Sequence, residues 1–269
     1  MRLPVVATVF ALSLSTPFVA QAAAPTSVKP TIVLVHGAFA GSSSWNPVIT
    51  RLTRDGYPVI AAAVPLRTLK GDASYIGSLV ASLPGEVVLV GHSYGGEVIS
   101  VAAANHRKVK ALVFIAGLAP DVGESAASLG KQFPMGMLSA ALAPPVPLAD
   151  GSADLYILQA RYWKQFAADL PEAEGSQMAV TQRPVAQSAL AEPAAAESWR
   201  SIPSWFAYGQ LDRNIPANLH AYLARRAKAR ESVEVPGASH VLMLSHPDLV
   251  AAMIERAGSA PARSAEARR

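Results

Sequence analysis

The chain has 269 residues, 51% of them hydrophobic and 16% charged, which is enough apolar material for one large globular core with room for an insertion. It contains no cysteine, so disulfides, thiol nucleophiles and thiolate metal sites are excluded. The formal net charge is +4, but Arg2, Arg263, Arg268 and Arg269 sit at the ends, and no basic stripe with interleaved aromatics marks a nucleic-acid surface.

The first segment reads as a targeting signal. Arg2 is followed by an almost unbroken apolar run from Leu3 to Ala20, interrupted by Pro4 and Pro17, and Ala20-Gln21-Ala22 supplies a small-x-small cleavage site. Residues 1–22 are therefore expected to be removed on export, leaving a periplasmic or secreted protein with a linker at 23–30. No later run is long and apolar enough to cross a bilayer, so no membrane contact is expected after cleavage.

Residues 31–257 read as one α/β unit. Apolar runs predict strands at 32–35, 59–64, 87–90 and 109–115. Between them lie helical patterns at 46–54, after Asp72 as the expected cap, and at 95–105. Strands so uniformly apolar are covered on both faces, as in a mostly parallel sheet wrapped by helices. From about 120 to 202 no clear strand is visible. Pro144-Pro145-Val146-Pro147 breaks the chain, and the remainder is Ala-rich with Tyr156, Tyr162, Trp163 and Phe166, which predicts a helical cap insertion. The sheet pattern resumes with strands at 204–208 and 232–235 and helices at 216–227 and 247–257. Gly258 onward is small and charged and reads as a disordered tail at 258–269.

The chemistry concentrates at Gly91-His92-Ser93-Tyr94-Gly95, between a strand and a helix. Small residues on both sides of a serine allow a strained turn that lifts the hydroxyl above the sheet end. A serine hydroxyl needs a base, and the base needs an orienting carboxylate. Asp212 follows the 204–208 strand and His240 follows the 232–235 strand, both at the edge where the serine emerges. Ser93, Asp212 and His240 form the expected triad, with Asp121 as the competing acid. The other histidines receive lesser roles: His36 shapes its loop, His92 faces away inside the turn, His106 and His220 lie on solvated helix surfaces, and His246 precedes a helix.

A tetrahedral oxyanion needs two backbone donors. The amide of Tyr94, at the positive end of a helix, is one; the turn His36-Gly37-Ala38-Phe39 supplies the other, with Ala38 preferred and Phe39 second. Phe39, Trp163 and Val241 are the candidate substrate contacts. No His-Glu-x-x-His, Walker or dinucleotide motif is present, so neither a metal nor a cofactor is implied.

His36-Gly37-Ala38-Phe39 with Trp45, Gly91 to Gly96, Asp212-Arg213-Asn214-Ile215-Pro216 and Gly237-Ala238-Ser239-His240 together resemble the α/β-hydrolase superfamily. More narrowly they resemble the small serine esterases grouped with plant methylesterases and hydroxynitrile lyases. The resemblance runs from Thr31 to Ala257 and includes Gln182-Arg183-Pro184 in the insertion. It implies a helical cap over the site and cleavage of a small carboxylic ester through an acyl-enzyme. It further implies catalysis by Ser93, Asp212 and His240 with the amides of Ala38 and Tyr94. Hydroxynitrile lyases carry Thr where Gly37 stands and Lys where Val241 stands, and dehalogenases carry Asp in place of Ser93, so hydrolysis is the expected reaction. Lactonase, thioesterase, amidase and perhydrolase chemistry use the same machinery, and a non-catalytic ligand-binding protein on this fold is the alternative from another class.

Overall fold

A computed structural model describes residues 28–133 and 138–261. The expected signal segment and most of the linker lie outside the described residues. In chain order the first elements are β1 (Thr31–Val35), α1 (Asn46–Arg54), β2 (Val59–Ala62), α2 (Leu69–Ser82), β3 (Val87–His92), α3 (Tyr94–Ala102) and β4 (Val109–Ile115). Ile32 to Val35, Val87 to Val90 and Ala111 to Ile115 are completely buried. That is why these strands show no apolar–polar alternation: helices cover both faces.

The expected cap of α2 is displaced. Thr68 is the N-cap, its hydroxyl accepting the Gly71 N–H at 3.0 Å, because the helix starts a turn before Asp72. Asp72 is instead buried, accepting the Leu66 N–H at 3.2 Å and the Tyr94 hydroxyl at 2.9 Å.

The insertion holds α4 (Ala126–Gln132), α5 (Leu138–Ala141), β5 (Val146–Pro147), β6 (Ala153–Leu155), α6 (Gln159–Phe166), α7 (Glu172–Thr181), β7 (Val185–Ala186) and α8 (Gln187–Ala191). The three short strands form an antiparallel sheet of order β5-β6-β7, which corrects the expectation of a purely helical cap. Strands of two or three residues are too short to leave a periodicity in sequence.

The chain then returns through β8 (Ser204–Gly209), α9 (Ala217–Arg226), β9 (Glu231–Val235), α10 (Leu242–Ser245) and α11 (Pro247–Ser259). Six strands pair in parallel in the order β2-β1-β3-β4-β8-β9. Val33 sits between Ile60 and Leu89 in this register. The chain leaves β1 toward the β2 edge and re-enters on the other side as β3. The carboxyl ends of β1 and β3 therefore flank a crevice of the kind where open α/β sheets bind ligands. Helix α11 runs through Gly258, which packs against Pro30 and Tyr57, so Gly258 and Ser259, expected in the tail, are helical; residues from 262 lie outside the description. Among the described residues no helix is long and apolar enough to cross a membrane.

Candidate active site

Ser93 joins β3 to α3 with φ +53 and ψ −123, a left-handed backbone that a non-glycine residue adopts only when its surroundings hold it. Those surroundings are visible. The Ser93 N–H donates to the Ile115 carbonyl at 3.3 Å, and its own carbonyl accepts from Gly96 N–H at 2.9 Å and Leu118 N–H at 3.1 Å. The flanking glycines are required by contact: a Cβ on Gly95 would lie 2.5 Å from the Val35 carbonyl oxygen, and one on Gly91 would strike the Gly95 carbonyl. The turn thus fixes the hydroxyl at the mouth of the β1–β3 crevice.

Asp212 follows β8 with its side chain out of solvent. One carboxylate oxygen, Oδ1, accepts the N–H groups of Asn214 at 2.8 Å and Ile215 at 3.0 Å, which fixes the plane of the group. The other, Oδ2, accepts His240 Nδ1–H at 2.6 Å. Burial pushes the Asp212 carboxyl upward, but His240 and His220 outweigh it and hold the group well below the ordinary carboxylate range. The competing acid, Asp121, is taken by Arg200 and by the Val122 N–H at 3.0 Å.

His240 is fully buried, and its Nε2 has no protein partner among the described residues. With Nδ1–H donating to Asp212, Nε2 carries the lone pair. His240 and Ser93 line the same cavity of about 430 Å³, together with Ala38, Phe39 and Tyr94. Its remaining wall is largely apolar, from Leu118, Phe133, Leu142, Leu155, Phe166 and Leu190.

The other histidines sort by contact. His36 donates Nδ1–H to the Gly37 carbonyl at 2.9 Å and shapes the loop after β1; burial first, then Arg183 against that hydrogen bond, pushes it down to about 4. His92 donates Nε2–H to the His240 carbonyl at 3.0 Å, pinning the backbone of the base, and burial holds it well below its ordinary value. His106 lies beyond the end of α3 and His246 caps α11, both partly exposed. His220 corrects the expectation of a solvated helix face: it is fully buried on α9, with Nε2 at 3.3 Å from Asp212 Oδ2. A buried His with a charged partner is invisible to a pattern of helix faces.

The two candidates for the second oxyanion donor separate cleanly. Phe39 N–H is committed to the Arg183 carbonyl at 3.0 Å. Neither the Ala38 nor the Tyr94 N–H finds an acceptor among the described residues, and both residues border the cavity beside Ser93. Among the substrate contacts, Phe39 lines the cavity. Trp163 and Val241 do not: Trp163 donates Nε1–H to Leu170 at 2.9 Å and packs on Gly175 of α7, while Val241 is buried at the start of α10. Trp163 belongs to the internal packing of the cap, which an aromatic at helical spacing usually does.

Cap and sheet are joined at the same atoms that shape the site. The Tyr162 hydroxyl donates to the Phe39 carbonyl at 2.8 Å, and Gln165 Nε2 donates to the Arg213 carbonyl at 2.9 Å and Asn214 Oδ1 at 2.8 Å. The Ser239 hydroxyl donates to Asp169. Arg183, in the Gln182-Arg183-Pro184 segment, accepts from Phe39 and donates to the Val64 carbonyl at 3.2 Å.

Residues 32–253 match the model of the Alpha/beta hydrolase family. The chain belongs to that family. Like this hydrolase, putative methylesterase 19 of Arabidopsis thaliana spans a similar length; the two are 24% identical over 252 residues, covering 84% of this chain and 96% of the relative. Esterase PIR7B of Oryza sativa is 27% identical over 254 residues, covering 82% and 92%. In structure the hydrolase superposes on polyneuridine aldehyde esterase with a TM-score of 0.73 at 20% identity, over 85% of this chain and 98% of the other, a likeness of fold.

Proposed function

We propose that the protein is a serine hydrolase of small carboxylic esters that works through an acyl-enzyme. The observation that carries this reading is the 2.6 Å bond from His240 to the buried Asp212 carboxylate, with Nε2 of that histidine unpartnered among the described residues and His240 and Ser93 lining one cavity. Ser93 Oγ attacks the ester carbonyl and gives its proton to His240 Nε2. Asp212 holds the imidazole in the tautomer that can accept it and stabilises the imidazolium. The Ala38 and Tyr94 amides hold the oxyanion, each contributing roughly 3 kcal/mol to barrier lowering. The alcohol leaves with the proton from His240, and water, deprotonated by the same nitrogen, releases the acid. The apolar wall favours uncharged acyl and alcohol groups, and relatives named as esterases support the reaction class. The apolar N-terminal segment supports export, with Ala23 as the mature N-terminus.

Turnover of p-nitrophenyl acetate and butyrate by the mature protein tests the reading. Ser93→Ala is expected to lose at least about 10³-fold in kcat; rates equal to wild type contradict it. Mass spectrometry of the exported protein checks the cleavage site.

A further inference from the structure

We propose that His220 is a positioning residue of the catalytic dyad, a second imidazole donor that holds Asp212 Oδ2 and thereby fixes the carboxylate that orients His240. The proposal rests on the triad reading above and adds to it a residue that does not touch substrate.

The geometry is that of a shared acceptor. Oδ1 of Asp212 is saturated by two backbone N–H groups, so every further interaction of the carboxylate falls on Oδ2. Two ring nitrogens converge there, His240 Nδ1 at 2.6 Å and His220 Nε2 at 3.3 Å. A carboxylate oxygen only accepts, so both nitrogens carry protons. His220 is completely buried on the first turns of α9, and its ring stacks on Tyr208 of β8, the strand that delivers Asp212, with centroids 5.1 Å apart and planes 18° apart. The stack and the hydrogen bond orient the ring, and its Nδ1 has no partner among the described residues.

The consequence is electronic as well as steric. A neutral N–H donor on Oδ2 disperses carboxylate charge, so the carboxylate pulls less strongly on the His240 imidazolium. Burial above all holds His220 below its ordinary value against the opposing influence of Asp212, which favours the neutral ring as the donor. The remaining titratable groups around the pair are few. They are His92 and His36 from the ends of β3 and β1, both held low by burial, Tyr208 from β8, and Asp169 of the cap, which takes the Ser239 hydroxyl. None of them contributes a second hydrogen bond to Oδ2.

The test compares His220→Phe, which can keep the stack but not the donor, with His220→Gln, whose amide can reach the place of Nε2. The pH profile of kcat/KM for p-nitrophenyl butyrate is the readout. Loss of the donor strengthens the hold of Asp212 on the imidazolium. In His220→Phe the acid limb is therefore expected to move up by about half a pH unit or more, with kcat/KM at its optimum falling about tenfold. His220→Gln is expected to restore most of both. The downfield proton resonance of His240 Nδ1–H reports the same dyad without turnover and serves if His220→Phe folds poorly: it should change in position in His220→Gln less than in His220→Phe or in His220→Ala. An acid limb and a downfield resonance unchanged in all His220 variants would overturn the positioning role while leaving the triad intact. Wild-type turnover in Ser93→Ala would overturn the triad reading itself.

Discussion

The sheet and the cap build the site by different means. In the sheet, position comes from backbone: Ser93, Asp212 and His240 each leave the carboxyl end of a strand, and parallel register brings β3, β8 and β9 to one rim. In the cap, position comes from side chains that reach down to backbone atoms, as Tyr162 does to Phe39 and Gln165 to Arg213, together with scattered backbone bonds such as Phe39 N–H to the Arg183 carbonyl and Ala186 N–H to the Leu66 carbonyl. The chemistry is thus anchored beside continuous hydrogen-bonded ladders, while the cap is held by dispersed side-chain and backbone ties and contributes much of the cavity wall. Changes in the rim should therefore cost far more than changes in the cap's ties.

The largest effect expected among these is Asp212→Asn. The amide cannot hold the imidazole in the base tautomer, and kcat is expected to fall by about 10⁴-fold, measured as burst-corrected ester turnover. The depressed carboxyl of Asp212 also contributes stability that is present above the ordinary carboxylate range and lost as pH falls through its folded value. The Asn variant should show a flatter acid limb in a plot of Tm against pH.

Gly37→Ala comes next. Its Cβ would lie 2.6 Å from the Ser93 Cβ and 2.9 Å from the His92 carbonyl, so the strained turn itself must move. A kcat loss of about 10²-fold is expected, since misplacement by an ångström is worth that much; an active Gly37→Ala enzyme would show the rim to be softer than described.

Tyr162→Phe removes one cap tie, to the Phe39 carbonyl in the loop after β1. The loss is expected to be about 1 kcal/mol in stability, with kcat/KM falling less than in Gly37→Ala. An effect on turnover larger than that of the rim variant would reverse the contrast between the two regions.

Glu97 on α3, the helix that leaves the Ser93 turn, is fully buried with neither carboxyl oxygen partnered among the described residues. Burial first, and then Glu124, pushes its carboxyl well above its ordinary value. A raised carboxyl contributes stability that is complete below the unfolded value and lost as pH rises through the folded one. Wild-type Tm is expected to decline with rising pH more steeply than that of Glu97→Gln; parallel curves would contradict a neutral Glu97.

The same contrast explains what could be read from sequence. The apolar runs of β1, β3 and β4 announce buried parallel strands because their apolar side chains are buried on both faces of the sheet. The Gly-x-Ser-x-Gly turn is legible because contact forbids any side chain at Gly91 and Gly95. The cap strands leave no trace in sequence because two or three residues carry no period, and Trp163 carries the pattern of an aromatic on an amphipathic helix, which is the same whether it faces substrate or a glycine on the next helix. His220 was hidden for another reason: its partner is eight residues away in a turn, and helix-face periodicity does not register polar pairing.

The central claim is that His240, held by Asp212, makes Ser93 a nucleophile. Intact-mass and peptide mapping after a fluorophosphonate probe tests it most directly. One adduct on Ser93 is expected in the wild type, and its loss, at equal exposure, in His240→Gln. No adduct in the folded wild type, an adduct at another serine, or undiminished labelling of His240→Gln would contradict it.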